Sequence, residues 1–185
     1  MTNLTFSGFS FLINDFNKTL TEIHTGTSKS HAKQRAAFIA AEAFRRDPTK
    51  QNAARFSEAV FVWGGPRTYG KLTPKLDAWN EHVFQWLSTQ AECSPREIIA
   101  CGIFEGVGVS YASKHLRIIE PTKYATLDSV LERELGYARN PSGYARFIND
   151  LLEFKEQAHI KAPLGDIEQA IYELIQARSK KKIVQ

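Results

Sequence analysis

Ile103-Phe104-Glu105-Gly106-Val107-Gly108-Val109-Ser110-Tyr111-Ala112-Ser113-Lys114-His115-Leu116, with Tyr124-Ala125-Thr126-Leu127-Asp128-Ser129-Val130-Leu131 after it, is the stretch from which the fold is read. Upstream, Ser94-Pro95-Arg96-Glu97 supplies a hydroxyl cap, a proline at the first helical position and an acid in the first turn. Ile98, Ile99 and Ile103 add an apolar face, which predicts a helix to about Phe104. Gly106-Val107-Gly108 breaks it, because two glycines around one apolar residue let the backbone take positive φ and turn sharply. A second helix starts at once, with Val109, Ala112, Leu116 and Ile119 recurring at three- and four-residue steps. Pro121 ends it, Tyr124 to Leu127 reads as short and extended, and Asp128 stands as N-cap of a helix over Ser129 to Leu135 that Gly136 stops.

Helix, glycine turn, helix leaves backbone N–H groups unobstructed at a helix N-terminus, a geometry that suits a phosphate oxygen. Such a contact reads the nucleic-acid backbone and carries no sequence information. The bland alternatives are a plain helix-to-helix turn and an Asp128 that does no more than cap.

The joint pattern is similar to that of the helix-hairpin-helix, Gly/Pro…Asp (HhH-GPD) superfamily of DNA base-excision glycosylases. The residues that carry it are Gly106-Val107-Gly108, Ser110, Ala112 and, at a spacing of 20 residues from Gly108, Leu127-Asp128 with Val130. Ser113-Lys114-His115-Leu116 and the run from Pro121 through Lys123-Tyr124 to Val130 most resemble bacterial proteins called 8-oxoguanine DNA glycosylase-like. The resemblance covers residues 95 to 155, a third of the chain.

It implies an all-helical body that binds double-stranded DNA through Gly106, Val107, Gly108, Ser110 and Lys114, and excises a flipped base, an oxidised purine being one candidate. Breaking an N-glycosidic bond builds positive charge on the sugar, so a carboxylate near C1′ lowers the barrier. Asp128, at the family's aspartate position, is the implied catalytic group, and a helix N-terminus favours its anionic form. Members that also cleave the strand carry a lysine two residues after the second hairpin glycine, where its amine forms an imine with the sugar. Ser110 occupies that position here, which points to a monofunctional, water-using enzyme. Lys114, one helical turn on and on the same face, is the candidate substitute amine, or a phosphate contact, or a solvated lysine. A structural monovalent cation at the carbonyls of the 104 to 109 hairpin is likewise implied by the resemblance alone.

The rest of the chain reads as further helices. Residues 1 to 11, with Phe6, Phe9 and Phe11, read as a loop-like strap on the body. Asn14 or Asp15 caps a first helix carrying Leu12, Phe16, Leu20 and Ile23, and an alanine-rich helix follows from about Ser30 to Arg46. A third carries Ala53, Phe56, Val60 and Trp63 and stops at Gly64-Gly65-Pro66. The loop that follows places Trp63, Arg67 and Tyr69 together, a combination that can stack on an extruded base and hold a phosphate, or simply fill a seam between helices. Thr73-Pro74, Asn140-Pro141 and Pro163 to Asp166 open three more. The expectation is one all-α unit over 1–185 of about nine helices around a hairpin core at 95–136, without a convincing strand and without an N-terminal β-domain.

At 185 residues with 43% apolar and 24% charged side chains, the composition is that of a globular protein with a substantial core. No apolar run approaches a membrane span, and Met1-Thr2-Asn3-Leu4-Thr5 lacks the basic start of a signal peptide, so a cytoplasmic protein with no membrane partner is expected. Cys93 and Cys101 are too few for a disulfide scaffold or a four-cysteine iron–sulfur cluster, and His24, His31, His82, His115 and His159 show no paired spacing, so no metal site is expected. A net charge of +4 permits nucleic-acid binding without establishing it. The basic tail at 178–185 reads as a solvated, disordered terminus, and a monomer is expected. Two rival readings remain: a non-catalytic DNA-binding module, and a helical protein-interaction module.

Overall fold

Packing in the computed structural model, which describes residues 3–27, 31–65, 75–88 and 93–183, is built almost wholly from helices. These are α1 (Ile13–His24), α2 (His31–Arg46), α3 (Lys50–Gly64), α4 (Leu76–Ser88), α5 (Pro95–Cys101), α6 (Val109–Ile119), α7 (Ser129–Leu135), α8 (Pro141–Gln157) and α9 (Leu164–Ile183). Nine helices among the described residues agree with the periodicity of the sequence.

The helix ends follow local chemistry. Ser94 and Glu97 make a reciprocal capping box with Pro95 behind it, and Thr49, Asp128 and Asn140 each accept backbone N–H groups at the start of α3, α7 and α8. α5 stops at Cys101, three residues short of the predicted Phe104. At the other end of the chain, α9 continues to Ile183, so the basic tail expected to be disordered is helical as far as it is described.

The N-terminal segment corrects the sequence reading. Instead of a loop-like strap it forms an antiparallel pair, β1 (Asn3–Phe6) and β2 (Phe9–Leu12), in the register Asn3 to Leu12 and Phe6 to Phe9. Ser7 and Gly8 both take positive φ, 47° and 78°, which is the turn that matches strand twist. Alternation then turns Phe6 and Phe11 inward, onto Tyr137, Phe147 and Phe154 for the first and onto Phe16 and Phe154 for the second. Burying each such ring contributes roughly 1.5–3 kcal/mol, enough to dock a hairpin that is marginal in isolation.

α1 packs against α9, α2 against α3, and α5 against α8, while α6 packs against both α2 and α3. Every residue of α6 from Ala112 to Ile119 is buried. His115 is its polar centre: Nδ1 lies 2.7 Å from the Tyr111 carbonyl and must carry the hydrogen. Nε2 therefore accepts from the Ser57 hydroxyl at 3.1 Å, and that hydroxyl accepts the Trp79 indole N–H at 2.6 Å. Burial pushes the His115 pKa down to about 4, so the ring is neutral and all its hydrogen bonds are satisfied. Among the described residues no helix is long and apolar enough to cross a membrane.

Candidate functional site

The turn between α5 and α6 is closed by two backbone bonds, Phe104 N–H to Val107 O at 3.0 Å and Val107 N–H to Phe104 O at 2.8 Å. Gly106 has φ +84°, which only glycine adopts without strain. Gly108 does not need its flexibility in this way: it is the N-cap of α6 at φ −90°, and a Cβ there would meet open space. With no side-chain cap at Gly108, the first N–H groups of α6 are left for a ligand or solvent. Val107, in contrast, buries its side chain and contributes backbone only.

Asp128 reaches this place through a pinned segment. Ser113 Oγ accepts the Leu127 N–H at 3.0 Å, Glu168 Oε2 accepts the Thr126 N–H at 3.2 Å, and Tyr144 Oη donates to the Ala125 carbonyl at 3.1 Å. Asp128 itself turns Oδ1 to the Val130 and Leu131 N–H groups at 2.9 and 3.1 Å, so the predicted cap is real. Oδ2 has no hydrogen bond among the described residues.

Two hollows meet at Asp128. A wide groove of about 530 Å³ runs over the hairpin, lined by Gly106, Gly108, Ser110, Tyr111 and, from beyond it, Glu132 and Arg139. A smaller cavity of about 210 Å³, bordered by Trp63, Arg117, Thr126 and Glu168, lies behind it. Lys114, Asp128 and Gly64 line both. The smaller space equals the liquid share of about seven waters, room for one nucleobase.

Lys114 is not the solvated lysine it resembles in sequence. It is 8% exposed, and its ammonium donates to Ser110 Oγ at 3.1 Å and to the Ser110 carbonyl at 3.4 Å. Burial pushes its pKa below the ordinary lysine value, while Asp128 and Glu168 pull the other way. Gly64 makes the position possible, since a Cβ there would stand 2.9 Å from Lys114 Cδ. Sequence spacing put Ser110 and Lys114 on one face, and the structure brings both to Asp128's groove.

The cavity's far wall is a buried polar network that the sequence reading missed. Arg117 is 1% exposed; its Nε donates to the Gly165 carbonyl at 3.2 Å and lies 3.3 Å from Glu168 Oε2, and its Nη groups donate to the Gln34 and Gln169 side chains. Gln34 Nε2 donates to Gln169 Oε1 at 3.1 Å. Burial raises the Glu168 pKa to about 7, only partly offset by Arg117. The Thr126 hydroxyl is buried without a hydrogen-bond partner among the described residues. Of the three residues expected to line a base pocket, Trp63 does, with the Arg117 guanidinium 5.5 Å from its ring centre, whereas Arg67 and Tyr69 fall outside the described residues.

A monovalent cation on the 104 to 109 carbonyls would share the oxygens of Phe104, Val107 and Gly108 with the N–H groups they already accept. Among the described residues no cluster of three or more His, Cys, Asp or Glu forms a metal site. Comparison with known proteins found no matching family model, no matching curated protein and no matching solved structure, so the site's chemistry rests on these residues.

Proposed function

We propose that this chain is a DNA N-glycosylase that holds duplex DNA across the hairpin groove and hydrolyses the bond between deoxyribose and a damaged base turned into the small cavity. One observation carries the reading: Asp128 and Lys114 sit where a groove fit for a phosphate backbone opens into a cavity fit for one base. A carboxylate at that mouth stabilises the cationic sugar and orients water, and Asp128 has Oδ2 to do so while Oδ1 holds the helix start. The N-terminus of α6 and Lys114 supply positive potential for phosphate. Double-stranded DNA is thus the partner, and an oxidised purine is one candidate base. Incubation with a panel of duplexes, each bearing one damaged or mismatched base, followed by alkaline cleavage, tests this. Asp128→Asn keeps an oxygen for Val130 and Leu131 but removes the charge, so excision falls on the order of 10²-fold or more, about 3 kcal/mol, while binding holds. If wild type and variant both bind and neither excises, the non-catalytic DNA-binding module replaces this reading. No duplex binding at low salt would leave the protein-interaction module.

A second reading is favoured by the place of the Lys114 amine. Buried, in no ion pair with a carboxylate among the described residues and at the mouth of the cavity, it is placed as a nucleophile that attacks C1′ directly.

A further inference from the structure

Two carboxylates, Asp128 and Glu168, border one 210 Å³ cavity from different elements, and their surroundings separate them. Asp128 gives Oδ1 to two backbone N–H groups at the mouth. Glu168 lies deeper, 5% exposed, on the first turns of α9. Both of its partners meet the same oxygen: the Thr126 N–H donates to Oε2 at 3.2 Å, and Arg117 Nε, whose hydrogen goes to the Gly165 carbonyl, lies 3.3 Å from it as an ion pair. Oε1 has no hydrogen bond among the described residues, so when the group is protonated the hydrogen belongs on Oε1. On the same wall the Thr126 hydroxyl is buried and, among the described residues, without a hydrogen-bond partner. A buried hydroxyl and a carboxyl oxygen, both on residues that line the cavity and both left over by the described protein groups, mark a wall made to meet a polar edge of something else.

From this arrangement we infer that Glu168 is the general acid of the reaction, donating its Oε1 proton to a ring nitrogen or carbonyl of the departing base while Thr126 orients that base's edge. The inference rests on the glycosylase reading and extends it to the leaving group and to the class of substrate. That class is a heterocycle that presents an acceptor at Glu168 and leaves poorly unless protonated. As the C1′–N bond breaks, its electron pair goes to the base and the Glu168 proton neutralises it. Asp128 steadies the cationic sugar and takes a proton from water as the water oxygen bonds C1′. The products are free base and an abasic hemiacetal, and the proton on Asp128 restores Glu168 through solvent. Burial raises the proton affinity of Glu168, and that divides the pair into acid and base in this way.

The charged and titratable groups that face Glu168 are Arg117 and Lys114 on α6, Asp128 ahead of α7, Tyr144 on α8 and Tyr172 on its own helix; α2 presents the uncharged Gln34. With burial dominating, Glu168 titrates at about 7. Single-turnover excision by wild type should therefore fall about tenfold per pH unit above that point. Glu168→Gln keeps the shape but holds no transferable proton; its rate at pH 6 should drop by about 10²-fold and its alkaline limb should vanish. A Glu168→Gln protein with wild-type rate and limb overturns the acid while leaving the glycosylase standing. A wild type that excises nothing from the duplex panel overturns both. Because glutamine leaves the Arg117 charge without its partner, Glu168→Asp provides a second arm that keeps both charge and acid. Its alkaline limb should move with the new carboxyl, and an unmoved limb overturns the assignment.

Discussion

Ser113 Oγ accepts the Leu127 N–H at 3.0 Å, a bond that joins the residue before Lys114 to the residue before Asp128. The two chemical groups of the site are thereby set at a fixed separation by a hydroxyl that touches neither. The same hydroxyl donates to the Ser110 carbonyl at 3.2 Å, one turn back on α6.

Ser113→Ala leaves a buried N–H without a partner, at a cost of about 1–3 kcal/mol. Thermal melting should shift down by roughly 3–10 °C. Excision by the still-folded fraction should drop as well, because Asp128 loses its register against Lys114. Unchanged melting would show that Leu127 finds another acceptor.

Gly108→Asp should separate stability from binding. The backbone there is in a region open to any residue, a Cβ meets nothing within 4 Å, and aspartate is a favoured N-cap, so α6 should hold or gain a few tenths of a kcal/mol. The new anion stands where a phosphate is proposed to sit, so affinity should fall equally for all duplex sequences. A salt titration checks the mechanism, since lost phosphate contacts flatten the slope of affinity against salt. Binding that survives the substitution moves the DNA site off the hairpin.

The two catalytic readings part on borohydride. Hydrolysis by an Asp128-held water leaves no covalent protein–DNA adduct, which is the outcome expected from serine at position 110. Attack by the Lys114 amine would give an adduct that disappears in Lys114→Ala and persists in Ser110→Ala.

Two buried groups tilt stability with pH in opposite senses. His115 titrates at about 4 in the fold against an ordinary 6.5, so between those values the unfolded chain holds the extra proton and stability rises with pH. Glu168, raised to about 7 from 4.5, keeps in the fold a proton the unfolded chain has lost, so its contribution is full below 4.5 and fades as pH climbs to 7. Each amounts to about 3 kcal/mol, and the two slopes oppose one another from pH 4.5 to 6.5. Glu168→Gln leaves the His115 slope unopposed. Its melting temperature should therefore rise over that window by about 5–10 °C more than that of wild type. Parallel melting curves for the two proteins would show that Glu168 does not titrate there.

Most helices and their caps were legible because they are local: Ser94-Pro95, Asn140-Pro141 and Leu135-Gly136 carry their signals within a few residues, whereas α1 starts at Ile13 behind an uncapped Leu12, with Asn14 and Asp15 inside the helix instead of capping it. Asp128 and Ser110 were singled out by the resemblance, whose motif is equally local. The cavity wall was not, because Gln34 and Gln169 meet from 135 residues apart and Arg117 and Gln34 from 83, and no periodicity reports such meetings. The one available signal was a charge inside an apolar run, Leu116-Arg117-Ile118 and Ile167-Glu168-Gln169-Ala170. The strands were missed for a different reason: Ser7-Gly8 between Phe6 and Phe9 is a hairpin turn, but the runs beside it are only four residues long. Nothing local distinguishes such runs from a strap.

The cavity's wall is recruited from almost the whole length of the polypeptide, from Gln34 on α2 to Tyr172 on α9. During synthesis the hairpin groove can form first, since its residues run only from Gly64 to Arg139, whereas the chamber behind it waits for the final helix. On the proposed reading, a nascent chain halted before α9 would have the groove for a polyanion yet lack the Glu168, Gln169 and Tyr172 wall against which a base would rest.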